Sequence, residues 1–500
     1  MEKIKEKYGW LLENGFIFIV FLLVTFGWVS TGRNLNYDLA WCFHMSQKVA
    51  NGHLLYSEIS TVVMPLYFWF GGLFIKVFGN ALITMHIYSG AVWGIIAVTI
   101  YNIVKMTTDK KIDLTFSLFV LFILRYSSIL ALSNYNSFAV MWWLIAIYVE
   151  IKREKNEQIG NETKSLFYNV LIGVMLGCAF FSKQNIGFFA VVATGLVSII
   201  KWIINRKNNL KEILAKALGF FVVTLMMLIY FIFTNTFSDC LEFCFGGLFE
   251  FGKENIKFFI HGKYYILAII LVIAIIIAKK KKDKVLMIEI INQIALCGLA
   301  YPLTNDYHVI LSMLMSFPIL LRITNYFYEN KKIYYLLFIF NVIWSLVLST
   351  YTEQGNTTEF ETIMRSQRIG GELFSVSLLL LVMNIGVSFA TGKNKISNVF
   401  TVFILILTIA SHKFIHNEIV KEEYLVDGLE VYQNLGFTEE QLGRIENVIE
   451  YILTKEKEGY NVYVVSADAA YYMMALGRNN YKYDLTLYGS LGSEGEEGLI

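Results

Sequence analysis

The stretch VVMPLYFWFGGLFIKVF, residues 62–78, decides how this chain is threaded through a membrane. It is apolar, and about thirteen other apolar runs have the roughly 20-residue length that a helix needs to cross the hydrocarbon core. Each crossing moves the chain to the other side of the bilayer. Whether 62–78 crosses therefore determines the side on which every later loop lies.

The basic residues resolve the ambiguity, because cytoplasmic loops carry an excess of Lys and Arg. If the lysines at 3, 5 and 7 are inside and 62–78 does not cross, the later basic clusters also fall inside. These clusters are Lys105/Lys110/Lys111, Lys152/Arg153/Lys155, Arg206/Lys207/Lys211, Lys279–Lys282 with Lys284, Lys331/Lys332 and Lys393/Lys395. We therefore expect 62–78 to lie along or dip into the outer face, as a helix that begins near Pro65.

Composition supports a polytopic membrane protein. Of the residues 56% are hydrophobic and 16% are charged, whereas soluble domains carry about 25% charged residues. The predicted spans are 12–30, 82–104, 112–131, 134–151, 166–182, 187–204, 214–234, 264–278, 285–303, 308–323, 333–350, 372–390 and 398–414. The prediction is an all-α transmembrane domain over 1–414, with the N-terminus cytoplasmic and a juxtamembrane helix in the first outer loop, 31–81.

Residues 415–500 are more polar and are expected outside the membrane. The pattern predicts an amphipathic helix over 438–456, a strand over Val462–Val465 and a second helix over Ala467–Leu476 that Gly477 ends. We expect a small extracytoplasmic α/β domain. An acidic run at 494–497 resembles the first turn of another helix, which would leave this domain incomplete.

The first outer loop holds the main catalytic candidate. A short helix is predicted there, with Asp38 at its N-terminal end and Gly52 ending it. A carboxylate is favoured at that end by free backbone N–H groups and by the helix dipole, so Asp38 is either a helix cap or a functional acid.

The loop resembles the first outer loop of GT-C glycosyltransferases, in the bacterial branch related to protein mannosyltransferases and the lipid A aminoarabinose transferase. The resemblance rests on Tyr37-Asp38, Ala50-Asn51-Gly52, Tyr56-Ser57-Glu58, Pro65-Leu66-Tyr67 and Phe78-Gly79. It implies a polyprenyl-phosphate-linked sugar donor, inversion at the anomeric carbon, and Asp38 as the general base on the acceptor. The family often has Asp-Glu here, whereas Leu39 follows Asp38. Glu58 is either a substitute acid or a solvated loop charge.

Further polar residues are expected at the outer face as substrate-binding candidates, with Tyr37 beside Asp38 counted among them. Lys183 either binds a lipid phosphate or extends to the interface. Asp306 and His308 lie in a short predicted outer turn and either hold phosphate or acceptor or are packed residues. The other candidates are Asn136, Arg365 and Arg368; Arg suits phosphate through its fork of donors.

The remaining patterns narrow the function. We find no metal-ligand spacing, no nucleotide-binding glycine loop and no implied cofactor, and a net charge of +2 does not suggest a nucleic-acid partner. The expected partners are membrane lipids, the lipid-phosphate sugar donor and a lipid, glycan or protein acceptor. Two alternatives remain: a transporter or flippase of lipid-linked glycans, and a non-catalytic assembly protein that docks through its outer tail.

Overall fold

A computed structural model describes residues 2–29, 37–107, 135–157, 162–205, 210–246, 428–435, 439–466 and 468–480, with isolated helical positions between 276 and 295. The helices are α1 (Glu2–Val29), α2 (Tyr37–Ala50), α3 (Leu66–Phe78), α4 (Ile83–Thr107), α5 (Tyr135–Glu157), α6 (Glu162–Phe180), α7 (Gln184–Asn205), α8 (Leu210–Phe233), α9 (Phe237–Leu241), α10 (Glu439–Lys457) and α11 (Ala469–Leu476). A π-helical turn occupies Glu242–Gly246, and a 3-10 turn occupies Leu429–Tyr432.

The predicted spans that fall within these residues are all helical. They coincide with α1, α4, α5, α6, α7 and α8. Among the described residues, three stretches are long and apolar enough to cross a membrane: Ile83–Ile103, Gln184–Trp202 and Leu210–Phe233. Span 112–131 and the spans from 264 onward lie outside the described residues, apart from the isolated helical positions, so the total of thirteen stays a prediction.

Helix α3 has the length expected of a segment that does not cross. Its 13 residues extend about 20 Å, whereas the hydrocarbon core is about 30 Å thick. It begins directly after Pro65, as predicted, and ends at Gly79, whose φ of 102° suits glycine. Tyr67, Phe68 and Ile75 are buried, so one face of α3 packs against the protein.

Helices α6 and α8 pack backbone to backbone through glycines. A Cβ atom on Gly173 would lie 2.0 Å from the Lys216 carbonyl oxygen, and one on Gly219 would lie 2.0 Å from the Val170 carbonyl oxygen. Small residues at such contacts let membrane helices approach closely, and van der Waals packing then holds them.

A buried ionic network joins α5, α7 and α8. Its members are Glu150, Arg153, Glu154, Lys201, Glu212 and Lys216. The Glu150 carboxylate lies 2.9 Å from Lys201 Nζ and 2.7 Å from Lys216 Nζ, and Arg153 Nη1 lies 2.8 Å from Glu212 Oε2. Arg153 belongs to a basic cluster that was expected in a cytoplasmic loop, but its side chain is only 1% exposed. Arg153 therefore ties helices together instead of lying in solvent.

From residue 428 onward, the regular structure of the described residues is helical. Helix α10 matches the predicted 438–456, and α11 ends at Gly477, whose φ is 63°. The strand predicted over Val462–Val465 is wrong, since these residues have no regular structure. A strand needs a neighbouring strand for its backbone groups, and none occurs within the described residues. Instead, Val464 N–H donates to Asn480 Oδ1 at 3.0 Å, and Asn480 Nδ2 donates to the Val464 carbonyl at 2.7 Å.

Residues 428–480 pack on the part of the chain that contains α2 and the connection between α3 and α4. The Leu82 N–H donates to the Val431 carbonyl at 2.7 Å, and Gln47 Nε2 donates to the Met474 carbonyl at 3.2 Å. Both segments must therefore lie on the same side of the membrane, which requires an even number of crossings between them. The spans predicted after the first loop are even in number, as this contact requires.

Candidate functional site

Helix α2 presents the Asp38 position at its N-terminal end. Asp38 is the second residue of Tyr37–Ala50, and the helix is followed by a turn at Gly52, whose φ is 95°. The first turn of a helix has free N–H groups and the positive end of the helix dipole, which favour an ionised carboxylate. Only the backbones of Tyr37 and Asp38 belong to the described part of the chain. From Leu39 to Lys48 every side chain is buried.

Lys183 lies in the tight turn between α6 and α7, with its side chain buried at 8% exposure. Its Nζ is 4.8 Å from the centroid of the Tyr135 ring, a cation–π contact. Within the part of the chain that the structure describes, no carboxylate pairs with it. Burial lowers the pKa of the Lys183 ammonium to about 8. A lysine that merely reached the interface would end in solvent, so its burial favours the phosphate-binding prediction.

Lys183 faces the turn of α2 that follows Asp38. The Trp41 ring packs edge-on against Tyr135 with centroids 6.0 Å apart, so Trp41 and Lys183 contact the same ring. The thiol of Cys42 is close enough to interact electrostatically with Lys183. Residues four apart lie on the same face of a helix. The Asp38 position therefore lies one turn from Cys42, on the face of α2 directed toward Lys183.

Asn136 also belongs to this neighbourhood. It follows Tyr135 in the first turn of α5 and is buried at 3% exposure. The structure thus brings together Lys183, Asn136 and the N-terminal half of α2, which come from three separate parts of the chain. A substrate-binding role for Asn136 stays a prediction.

Gln184 fixes the position of the Lys183 turn. Its Nε2 donates to the Val62 carbonyl at 2.9 Å and to the Cys244 carbonyl at 2.7 Å. The Leu66 N–H donates to the Phe181 carbonyl at 3.0 Å. The turn is therefore held to the segment before α3 and to the π-helical turn. Gln184 was not among the predicted site residues, since its only signal in the sequence is an amide next to a lysine in a short polar connection.

Tyr56 lies next to the π-helical turn. Its backbone has a φ of 77°, which is unusual for a residue other than glycine. Its hydroxyl donates to the Val63 carbonyl at 3.1 Å, and burial raises its pKa well above the usual range. The free thiols of Cys240 and Cys244 interact with the same hydroxyl.

Glu58 is directed into its own turn. Its carboxylate accepts the Leu54 N–H at 2.6 Å and lies 3.7 Å from His53 Nδ1, and its side chain is half exposed. These contacts are the ones expected of a loop charge. A catalytic role for Glu58 stays a prediction that the geometry does not support.

The other candidates are outside the described residues: Asp306, His308, Arg365 and Arg368. His44 is buried, with its Nδ1 3.2 Å from Gln47 Oε1, as expected of a structural histidine. The residues that the structure describes contain no cluster of three or more His, Cys, Asp or Glu side chains suited to a metal ion.

Residues 62–237 match the family described as dolichyl-phosphate-mannose-protein mannosyltransferase. The resemblance to the GT-C membrane glycosyltransferases is confirmed. The matched region of this glycosyltransferase-like chain includes α3 to α8 and therefore Lys183, Asn136 and Gln184. Asp38 and Glu58 precede it.

Comparison with solved structures finds partial likenesses. ArnT from Cupriavidus metallidurans in the apo state is 13% identical with a TM-score of 0.49, and the match covers 77% of this chain and 76% of that chain. ArnT bound to undecaprenyl phosphate is 12% identical with a TM-score of 0.48 and the same coverage. AglB from Archaeoglobus fulgidus, in complex with an inhibitory peptide and a dolichol-phosphate, is 11% identical with a TM-score of 0.47, over 95% of this chain and 64% of that chain. Among curated protein sequences, none matches.

Proposed function

We propose that this protein is an inverting glycosyltransferase that moves a sugar from a polyprenyl-phosphate carrier to a cell-envelope acceptor at the outer membrane face. The observation that carries the proposal is the buried ammonium of Lys183, which has no carboxylate partner among the described residues and lies against the helix that begins with Asp38. Lys183 belongs to the stretch that matches a family named for a lipid-phosphate sugar donor.

Lys183 has the properties of a phosphate ligand. When the bond between the sugar and the lipid phosphate breaks, negative charge grows on the phosphate oxygen. A fixed cation within a site of low polarity stabilises that charge more strongly than it would in water. The Tyr135 ring and the hydrogen bonds of Gln184 hold the lysine turn in place before substrate binds.

Asp38 would act as the general base. As the acceptor oxygen attacks the anomeric carbon, the Asp38 carboxylate takes the acceptor's proton. The electron pair of the breaking C–O bond leaves with the lipid phosphate, next to Lys183. Attack and departure on opposite faces of one carbon invert its configuration, and the reaction needs no covalent enzyme intermediate.

The proposed orientation follows from the charge map and from the contact between the two outer segments. The N-terminus would be cytoplasmic, and residues 428–480 would lie outside together with α2 and α3. The protein would then be a multi-pass plasma-membrane protein whose site opens toward the extracytoplasmic surface.

The test compares two acids in purified protein that is supplied with a polyprenyl-phosphate-linked sugar and an envelope acceptor fraction. Asp38→Asn should lose transfer by at least about 100-fold while its unfolding temperature is unchanged, since base catalysis contributes about that much or more. Glu58→Gln should retain transfer. Full activity of Asp38→Asn would refute the assigned base.

The product also distinguishes the proposal from transport. NMR of the product should show an anomeric configuration opposite to that of the donor. Translocation of the lipid-linked sugar across liposomes without any covalent change would instead favour the transporter or flippase.

A further inference from the structure

Helix α2 is enclosed between two parts of the chain that are far apart in sequence. On one side α3 packs against it closely, because Gly71 and Gly72 lie directly against Ser46. On another side it contacts α11 of the C-terminal domain. A single helix buries side chains all round only when partners cover several of its faces, and α2 is buried in this way from Leu39 to Lys48.

Gln47 joins these parts through one buried amide. Its Nε2 donates to Asn80 Oδ1 at 3.0 Å and to the Met474 carbonyl at 3.2 Å, and its Oε1 lies 3.2 Å from His44 Nδ1. Met474 is in the last turn of α11, and its carbonyl also accepts the Gly477 N–H at 3.3 Å. Gln47 therefore gives the C-terminal end of α11 a second donor, from outside the C-terminal domain.

A second hydrogen bond reinforces this contact. The Leu82 N–H, just before α4, donates to the Val431 carbonyl of the 3-10 turn at 2.7 Å. Leu82 and Tyr432 are fully buried at this contact. The C-terminal domain thus holds both α2 and the connection between α3 and α4.

We infer that the C-terminal domain positions the catalytic helix, and that Gln47 is the positioning residue through which it does so. This inference rests on the proposed role of Asp38. Gln47 follows Asp38 by nine positions on one rigid helix, a distance of about 14 Å. When the α11 end of the contact loosens, the whole helix tilts and Asp38 moves relative to Lys183. A displacement of about 1 Å in an active site can lower the rate about 100-fold.

The first measurement needs no substrate. Hydrogen–deuterium exchange of the amides in α2 is compared in the wild-type full chain, Gln47→Leu and Gln433→Leu. Gln433 is an exposed glutamine of the same domain, so it controls for the chemical change. Exchange in α2 should rise about 10-fold or more in Gln47→Leu and stay at the wild-type level in Gln433→Leu.

Asn80→Ala provides a milder variant, because Asn80 is exposed and its loss removes only one acceptor of the Gln47 amide. It should raise exchange in α2 by a smaller factor than Gln47→Leu. The inference would be overturned if exchange in α2 stays at the wild-type level in both Asn80→Ala and Gln47→Leu. It would also be overturned if Gln47→Leu fails to fold and exchange in Asn80→Ala stays at the wild-type level.

The second measurement is sugar transfer. Gln47→Leu should lower kcat about 10-fold or more with little change in KM for the lipid-linked donor. Added to Asp38→Asn, it should cause no further loss, because it acts through Asp38. An additive loss in the double variant would overturn the positioning role. If Asp38→Asn retains full activity while α2 exchange rises in Gln47→Leu, Asp38 is not the base, but the C-terminal domain still restrains α2 through Gln47.

Discussion

Replacing Lys183 by methionine should stabilise the substrate-free protein and weaken its binding to lipid phosphate. The burial that lowers the pKa of this ammonium from 10.5 to about 8 corresponds to a cost of about 3 kcal/mol for keeping it charged at neutral pH. Methionine fills a similar volume without that cost. A residue retained for structure would show the opposite sign, because its loss would destabilise the fold.

The pH dependence gives an independent check on the Lys183 prediction. The folded-state pKa is below the unfolded value, so the folded protein binds fewer protons between about pH 8 and 10.5. The penalty is fully present below pH 8, and Lys183 therefore adds stability as pH rises through this window. Lys183→Met should abolish that increase. Unfolding in detergent at pH 7 and pH 10 measures both effects.

Binding completes this prediction. A charge-assisted hydrogen bond contributes about 1.5–3 kcal/mol, so Lys183→Met should weaken the Kd for polyprenyl phosphate about 10- to 100-fold. Lys183→Arg should retain charge above pH 8 and preserve binding there. Lower stability with unchanged lipid affinity in Lys183→Met would show that the lysine only stabilises the fold through Tyr135. That result would refute its phosphate-binding role.

Three further predictions concern helix packing and membrane orientation. Glu150→Gln leaves Lys201 and Lys216 without their shared partner and should lower stability by about 3–5 kcal/mol in thermal or denaturant unfolding; a change within 0.5 kcal/mol would contradict this. Gly219→Ala should destabilise the folded protein by about 1–3 kcal/mol. Gly195→Ala is the control and should be neutral or stabilising, because a Cβ there meets nothing within 4 Å. Equal effects of the two substitutions would contradict the close packing of α6 and α8. In intact cells, Tyr460→Cys should react with a membrane-impermeant maleimide and Lys155→Cys should not. The reverse pattern would overturn the proposed orientation, in which the N-terminus is cytoplasmic.

Helix boundaries and turns could be predicted because their signals are local. Pro65 starts α3 and Gly79 ends it, Gly477 ends α11, and each operates through the conformation of its own residue. The charge pattern likewise predicts that α3 does not cross, and the 13 residues of α3 are fewer than a spanning helix needs.

The rest depended on contacts that no local pattern records. The Gln47–Met474 hydrogen bond joins residues 427 positions apart. Residues 462–465 have the composition of a strand, but composition does not supply the neighbouring strand that it requires. Arg153 lies in a basic cluster, and only the packing of α7 and α8 against α5 shows that it is buried among carboxylates.

The most direct test of the account is an experimental structure of the protein with bound polyprenyl phosphate. The phosphate should lie within about 3 Å of Lys183 Nζ and face the first turn of α2, with the Asp38 carboxylate directed toward the sugar side of the phosphate. A phosphate bound elsewhere, with Lys183 still packed only on Tyr135, would contradict the central claim.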